Sequence, residues 1–341
     1  MIPSFQAGKF TLAPFEPGHE HAILESFNRV FGAIDPQFEP RTLETWRWQF
    51  LENPSGHYAF SAFDEDGDVA AHHAFIKGRL RTRTETRFSA QVVDSLVDTS
   101  KRRGLQRMSL SSMLSNTFMP IIGGEGPEQL AFAWGPPVKS ALRVGQTRGR
   151  YEVVRTQLKL VRHVEAELDS VKAALVDVEE CRAVPPDATE LFERLSRQYD
   201  AVLVRDEAHL DWRWFRRPGN RYRFATARRS GRLVGYAVYD DGFFDGRPHE
   251  GLLCDWFVDQ EDEPAQLALL DWLFHSCRTD GVERLVTILP ETAREFERFQ
   301  ELGFRVEGTR YPIATWTCAR RFGPEWLRRH WYYTLGDTDL V

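Results

Sequence analysis

Cysteine is scarce in this chain, and its few cysteines are scattered. The four form no Cys-x-x-Cys pair: Cys181, Cys254, Cys277 and Cys318. Closely spaced cysteines are the usual ligands of a structural zinc, and disulfide-rich chains belong to oxidising compartments. The sequence therefore predicts no metal site, and it indicates a reducing, cytoplasmic environment.

Long apolar runs and an excess of basic charge are also missing. No stretch approaches the roughly 20 apolar residues that a membrane-spanning helix needs. The first 15 residues show no basic-then-apolar signal pattern. The formal net charge is -6, which argues against a nucleic-acid-binding surface over the whole protein. We therefore expect no membrane span and no nucleic-acid partner.

An ordered series of residues occurs twice at nearly the same spacing. The first copy reads Trp46, Arg47, Trp48, Pro54, Tyr58, Phe60 and Gly67. The second reads Trp212, Arg213, Trp214, Pro218, Tyr222, Phe224 and Gly231. Further on, residues 93–98 are echoed by residues 254–259. Such ordered matches indicate a duplicated unit.

Each copy follows the same predicted order of elements. The hydrophobic pattern predicts helices, a hairpin, a long strand, a loop, a helix, a strand, a helix and a strand, which is a mixed α/β layout. In the first copy the long strand falls at 87–97 and its following helix at 105–119. We expect one domain at 1–163, a linker at 164–188 and a second domain at 189–341.

The two copies differ after the long strand. The first continues Lys101-Arg102-Arg103-Gly104, and the second continues Glu261-Asp262-Glu263-Pro264. A basic, glycine-containing loop that enters a helix presents free N–H groups and positive charge to an anion. The alternative is a solvated basic turn. The strand and helix around the first loop favour a phosphate site there, although the P-loop and three-glycine dinucleotide patterns are absent.

The order of elements, and residues 97–114 in particular, resembles the GNAT acyl-CoA acyltransferase superfamily. The family's loop reads Arg/Gln-x-x-Gly-x-Gly/Ala, and its positions fall on Lys101, Gly104 and Gln106. Gln106 departs from the pattern, because the family has a small residue there. Residues 135–140 add a resemblance to GNAT-like proteins common in bacterial cell-surface polysaccharide gene sets. The resemblance implies two tandem GNAT-like domains, each a mixed central sheet flanked by helices, with the second a degenerate copy.

The resemblance also implies the site. Acetyl-CoA is the expected co-substrate, with no metal, and the backbone N–H groups of Leu96 and Val97 are expected to hold the pantetheine and the thioester oxyanion. The implied coenzyme-binding residues are Leu96, Val97, Lys101, Arg102, Arg103, Gly104, Leu105, Gln106, Arg107 and Met108. Asp94 is either the base that deprotonates the amine or a structural aspartate, as its repetition in Asp255 suggests.

Other candidate residues have simpler interpretations. His72 and His73 either line the acceptor cleft or are ordinary sheet residues. The four repeated tryptophans are expected in the cores, and Arg47 and Arg213 are expected to bind helix-end or loop carbonyls. The family often uses a tyrosine as the acid on its last helix, but residues 138–144 contain none, so the acid stays unassigned.

The sequence thus favours an acyl-CoA-dependent N-acyltransferase that moves an acetyl or short acyl group to a small-molecule amine or amino-sugar acceptor. A Fem-like aminoacyltransferase, which uses aminoacyl-tRNA, is one alternative. A catalytically inactive protein that binds CoA or another ligand is the other. The acceptor, the acyl length and the oligomeric state are left open.

Overall fold

A computed structural model describes residues 2–35, 38–101, 109–148, 150–164 and 175–341 of the chain. The chain divides into two compact units. Unit 1 comprises Met1–Arg79, Arg87–Val153 and Ala314–Pro324. Unit 2 comprises Leu80–Thr86, Val154–Ile313 and Glu325–Val341. The domain bounds that the repeat suggested, 1–163 and 189–341 with a linker between them, stay a prediction. Two short segments, 80–86 and 314–324, belong to the unit formed mainly by the other half of the chain.

Unit 1 follows the predicted order from its first helix to its last helix, with two further strands before the first helix. Its elements are β1 (Phe5–Ala7), β2 (Phe10–Pro14), α1 (Glu20–Gly32), α2 (Leu43–Phe50), β3 (His57–Phe63), β4 (Val69–Thr82), β5 (Thr86–Val97), α3 (Leu110–Ile122), β6 (Leu130–Gly135) and α4 (Lys139–Arg148). The strands lie in the order β1-β2-β3-β4-β5-β6. This is a mixed sheet, because β1 to β4 pair antiparallel whereas β5 and β6 run parallel.

Two apolar clusters cover the two faces of this sheet. Leu114 and Phe118 of α3 pack in one cluster with Phe60 of β3. Trp46 and Phe50 of α2 pack in the other cluster with Ala59, the residue directly before Phe60 on β3. Since neighbouring residues of a strand point to opposite faces, α3 lies on one side of the sheet and the pair α1 and α2 on the other.

Helix α3 differs from its predicted bounds at both ends. It begins at Leu110, because the Ser109 side chain accepts a hydrogen bond from the Ser112 N–H and caps the helix there. It continues through Pro120, where the sequence predicted an end at 119, and stops before Gly123. Pro120 lies in the last turn, where little helix remains to be disrupted, and the residues around it, Met119 and Ile122, are buried in the core.

Unit 2 repeats the scheme with a longer set of elements. They are β7 (Tyr151–His163), β8 (Asp177–Cys181), α5 (Ala188–Leu195), β9 (Ala201–Leu203), α6 (Glu207–Leu210), β10 (Arg223–Arg229), β11 (Arg232–Phe244), β12 (Arg247–Val258), α7 (Glu263–Thr279), β13 (Arg284–Ile288), α8 (Arg294–Glu301), β14 (Arg305–Thr317), α9 (Pro324–His330) and β15 (Trp331–Tyr332). Its main strands lie in the order β7-β13-β12-β11-β10-β8. β12 and β13 run parallel, as β5 and β6 do.

The predicted linker contains a strand that the sequence did not indicate. β8 pairs antiparallel with β10 over five positions, from Cys181 with Phe224 to Asp177 with Arg228. The apolar pattern did not predict β8, because an edge strand can face water and can therefore consist mostly of charged residues.

The repeated tryptophan–arginine segments have both predicted and unexpected contacts. The four tryptophans are buried, as expected of core residues: Trp46, Trp48, Trp212 and Trp214. Arg213 donates to the carbonyls of Gly336, Thr338 and Val341, which confirms its predicted role. Arg47 lies 3.5 Å from the Glu20 carboxylate, a contact that the sequence did not indicate, and its predicted role stays a prediction.

Candidate active site

The parallel strands of unit 1 separate after a short paired stretch. β5 pairs with β6 from Phe88 with Leu130 to Gln91 with Trp134. β6 then ends at Gly135, whereas β5 continues to Val97. In these two strands, which the structure describes completely, residues 92–97 form no ladder with β6. The edge of β5 beside Leu96 and Val97 is therefore a place where a ligand can add backbone hydrogen bonds.

Asp94 lies on this separated stretch in an unusual backbone conformation. Its φ is 51°, in the left-handed region that non-glycine residues seldom adopt. Its carboxylate is 5% exposed, and Oδ2 lies 2.5 Å from Nη1 of Arg41. The Asp94 carboxylate therefore lies on the part of β5 that is not paired with β6, and Arg41 holds it in place.

Arg41 comes from the connection between α1 and α2. Its guanidinium lies over the Phe27 ring, 3.9 Å from the ring centroid, and it is 19% exposed. Arg41 directly precedes Thr42, whose hydroxyl caps α2 by accepting from the Thr45 N–H. The sequence pattern did not indicate Arg41, because it stands 53 positions before Asp94 and belongs to no motif.

The two adjacent histidines of β4 are buried sheet residues. Nδ1 of His72 lies 2.8 Å from the Ser61 hydroxyl. His73 lies between two hydroxyls of α3, with Nε2 2.8 Å from Ser111 and Nδ1 3.2 Å from Ser115. Burial lowers the pKa of His72 to about 3, helped by the nearby Arg41, and lowers the pKa of His73 to about 4. Both rings are therefore neutral at pH 7 and belong to the packed sheet.

The end of β5 leads into a tight turn of residues Thr99–Lys101. Asp98 accepts hydrogen bonds from the Ser100 N–H and hydroxyl and forms an ion pair with Arg29 at 3.0 Å. These contacts outweigh the burial that would raise the pKa of Asp98, and its pKa is lowered.

Lys101, the first predicted coenzyme-binding cation, is engaged with two carboxylates. Its Nζ lies 2.8 Å from Asp64 and 2.6 Å from Asp68, on the turn between β3 and β4. These hydrogen bonds raise the pKa of Lys101, so it stays charged but its charge is matched within unit 1. The other predicted loop residues lie outside the described part of the chain: Arg102, Arg103, Gly104, Leu105, Gln106, Arg107 and Met108.

The flanks of that loop are described and have the predicted order of strand, loop and helix. Leu96 is buried, and the half-buried Val97 packs against the cluster that contains Leu110 and Leu114 of α3. The Ser109 cap marks the helix N-terminus on the far side of the loop. The chain therefore runs from the separated strand through residues 98–109 to a helix N-terminus, and a loop that enters a helix in this way favours an anion.

Within the described ranges, no group of three or more His, Cys, Asp and Glu side chains is placed to hold a metal ion. No helix in the same ranges is long and apolar enough to cross a bilayer.

No family model matches the chain, and no curated protein matches its sequence. Solved structures do match it. A conserved Enterococcus faecalis protein of unknown function, described as a probable N-acyltransferase, is 10% identical, with a TM-score of 0.65 over 93% of this chain and 73% of that one. Saccharomyces cerevisiae N-myristoyltransferase with bound myristoyl-CoA is 11% identical, with a TM-score of 0.56 over 92% of this chain and 83% of the enzyme.

A third structure is the GCN5-related glucosamine N-acetyltransferase region of a fungal multi-domain β-N-acetylglucosaminidase. It is 10% identical, with a TM-score of 0.54 over 91% of this chain and 38% of that one. The fold of this chain is therefore GNAT-like. The predicted α/β fold class, with a large mixed sheet flanked by helices, is thereby confirmed, and neighbours that match over most of the chain are consistent with the predicted pair of GNAT-like domains.

Proposed function

We propose that unit 1 is an acyl-CoA-dependent N-acyltransferase that moves an acetyl or other short acyl group to an amine. The observation that carries this proposal is the separation of β5 from β6 after Gln91, with Asp94 held on the free stretch of β5. On a GNAT fold, this arrangement joins a strand edge that β6 leaves unpaired, a fixed carboxylate and, beyond the loop, a helix N-terminus.

Each part has a role in this proposal. The backbone N–H groups of Leu96 and Val97 hold the pantetheine and stabilise the oxyanion that forms on the thioester carbonyl. The loop from Lys101 to Met108 binds the phosphates of the coenzyme. Because Lys101 is already paired with Asp64 and Asp68, we assign most of the phosphate binding to the arginines that follow it, Arg102, Arg103 and Arg107.

The reaction is a direct transfer within a ternary complex. The amine nitrogen attacks the thioester carbonyl carbon, a C–N bond forms, and the C–S bond breaks with release of the CoA thiolate. The Asp94 carboxylate takes the proton that the amine loses. α4, Lys139–Arg148, contains no tyrosine, so this chain assigns no side chain to protonate the thiolate.

The acceptor that we propose is a small-molecule amine or an amino sugar. Two structural neighbours name different substrates, since one is an N-myristoyltransferase and the other a glucosamine N-acetyltransferase region. Thiol release from acetyl-CoA and from myristoyl-CoA, measured across a panel of amines that includes glucosamine, separates short-acyl from long-acyl transfer. Faster turnover of myristoyl-CoA would contradict the short-acyl assignment.

The central test replaces Asp94 by asparagine. Asp94→Asn keeps the shape and removes the proton acceptor, so turnover at neutral pH should fall about a hundredfold or more while the affinity for acetyl-CoA is unchanged. Thiol release and isothermal titration measure the two quantities. The matched variant Asp255→Asn in unit 2 should lower the melting temperature instead. Equal destabilisation by both, with activity falling only with the folded fraction, would remove Asp94 from the mechanism.

A catalytically inactive CoA-binding protein is the second candidate, and the absence of a tyrosine from α4 favours it. It predicts that acetyl-CoA binds but that no amine of the panel causes thiol release. An aminoacyltransferase would instead transfer from aminoacyl-tRNA and ignore acetyl-CoA.

A further inference from the structure

We infer that Asn28 and Arg41 are positioning residues that act in series to hold the Asp94 carboxylate for the acceptor amine, an inference that rests on the proposed function and extends it to residues with no motif.

The first link joins α1 to the backbone of Arg41. The Asn28 side chain accepts from the Arg41 N–H at 2.9 Å and donates to the Arg41 carbonyl at 3.0 Å. One amide therefore satisfies both backbone groups of a single residue 13 positions away. Such a two-point contact fixes the direction in which the Arg41 side chain leaves the chain.

Aromatic rings anchor the same connection. Phe38 packs against Phe27 and Phe31 of α1, with ring centroids 5.9 and 6.2 Å apart. The Arg41 guanidinium lies over the ring of Phe27, 3.9 Å from its centroid. A cation held over a ring loses little freedom when it also binds a carboxylate, so the connection presents Arg41 in one orientation.

The second link joins Arg41 to the strained residue. A non-glycine residue at φ 51° costs free energy and persists only where its surroundings hold it. The Arg41 contact at 2.5 Å supplies that hold for Asp94. Strain of this kind is concentrated at functional sites because it points a side chain where regular geometry would not.

The geometry leaves one carboxylate oxygen for the substrate. Among the described residues, the side-chain contact of Asp94 is made through Oδ2 to Arg41. Oδ1 is then the atom that meets the N–H of the acceptor amine and receives its proton. Arg41 touches neither substrate nor coenzyme in this scheme. It acts through Asp94, and Asn28 acts through Arg41.

The experiment compares Asn28→Ala, Arg41→Ala, Arg41→Lys and Asp94→Asn in the full chain. The kcat with a saturating amine should fall about a hundredfold in Arg41→Ala and less in Asn28→Ala, with the KM for acetyl-CoA unchanged in both. The kcat of the double variant Arg41→Ala with Asp94→Asn should be no lower than that of Asp94→Asn alone, because both changes disable the same arginine–aspartate pair. Arg41→Lys should recover part of the lost rate, since it keeps the charge.

Arg29→Ala is the matched control. It removes another arginine–aspartate pair, that of Arg29 with Asp98 at 3.0 Å, just past the end of β5, without touching Asp94. It should change kcat less than twofold. The inference is overturned if Asn28→Ala and Arg41→Ala keep wild-type kcat per folded molecule, or if Arg29→Ala lowers kcat as much as they do.

A readout independent of turnover separates this inference from the proposed function. In protein labelled with 13C-carboxyl aspartate, Asn28→Ala and Arg41→Ala should each shift the Asp94 resonance, and Arg29→Ala should not. If no amine is acylated but these shifts occur, the proposed function fails and the positioning series stands. If Asn28→Ala leaves the Asp94 resonance in place, the series itself is wrong.

Discussion

The two units place an aspartate at the same point of their long strand and surround it differently. Asp94 in unit 1 is held by Arg41. Asp255 in unit 2 accepts from Arg205 at 3.2 Å, from the Tyr236 hydroxyl at 2.8 Å and from the Thr334 hydroxyl at 2.9 Å. The same residue type therefore stands as a candidate catalytic group in one copy and as the centre of a buried network in the other.

The parallel strand pairs show a related difference. β12 pairs with β13 at Gly251 and Leu252 and then continues to Val258, as β5 continues past its partner. In unit 2, however, a later segment of the same unit lies along this stretch. The Tyr332 hydroxyl donates to the Trp256 carbonyl at 2.7 Å. The strand edge that we assign to coenzyme in unit 1 is occupied by protein in unit 2.

Gly336 shows how closely that segment approaches. A Cβ at this position would lie 2.9 Å from the Cys254 carbonyl oxygen and 2.5 Å from the Trp214 ring. Only glycine allows that approach, so the segment is fitted against β12.

The side chains of the acidic loop, residues 261–263, form ion pairs and a helix cap within unit 2. Glu261 pairs with Arg294 at 2.6 Å, and Glu263 pairs with Arg298 at 2.7 Å. Asp262 caps α7 by accepting from the Ala265 N–H. The two copies thus share a scaffold, while the loop of the second copy pairs with and caps elements of unit 2.

The largest effect should come from the buried arginine of unit 2. Arg205→Met leaves Asp255 and Asp337 without their shared cation, which is 1% exposed and lies 2.7 Å from Asp337. Removing one partner of such a buried group costs about 3–5 kcal/mol. Arg41→Met in the more open pair of unit 1 should cost less than half of that. Chemical denaturation measures both variants, and equal losses would show that the two aspartates are alike.

Coenzyme binding should be confined to unit 1. At a concentration about 100 times its Kd, acetyl-CoA should stabilise the protein by about 2.7 kcal/mol, with one equivalent bound per chain by calorimetry. Arg102→Glu with Arg103→Glu should abolish the shift in melting temperature. Glu261→Lys with Glu263→Lys should leave it intact. If two equivalents of acetyl-CoA bound per chain, the units would not differ in coenzyme binding. If millimolar CoA left the melting temperature unchanged, the acyl-CoA proposal would be contradicted.

The smallest effect concerns the histidines in the sheet of unit 1. Burial lowers the pKa of His72 to about 3 and of His73 to about 4, from an ordinary value of 6.5. Between pH 6.5 and 4 the unfolded chain therefore binds protons that the folded unit does not, and stability falls as the pH falls. At pH 5 the loss should be about 2 kcal/mol for each ring.

His72→Gln and His73→Gln provide the comparison for that prediction. Between pH 7 and pH 5, the free energy of unfolding of each variant should fall by about 2 kcal/mol less than that of the parent chain. Chemical denaturation at several pH values measures this difference. A variant with the same pH dependence as the parent chain would show that its histidine does not carry the effect.

Much of the scaffold followed from local pattern. The long strand predicted at 87–97 is present in β5, and the repeated tryptophans are in the cores. Apolar periodicity and turn residues are written in neighbouring positions, so a single chain reveals them. Strand β8 was missed because a charged edge strand carries little of that signal.

What the sequence determined by itself is the repeated series of residues, the mixed α/β order of elements, the aspartate on each long strand and the opposite charges of the two loops. Tertiary structure decided what those groups do. It brought Arg41 across 53 positions to Asp94, matched Lys101 with Asp64 and Asp68, and laid residues 331–338 against β12. Ion pairs and strand-edge contacts depend on distances in space, which no local spacing encodes. The two copies could therefore share a pattern and still differ in chemistry.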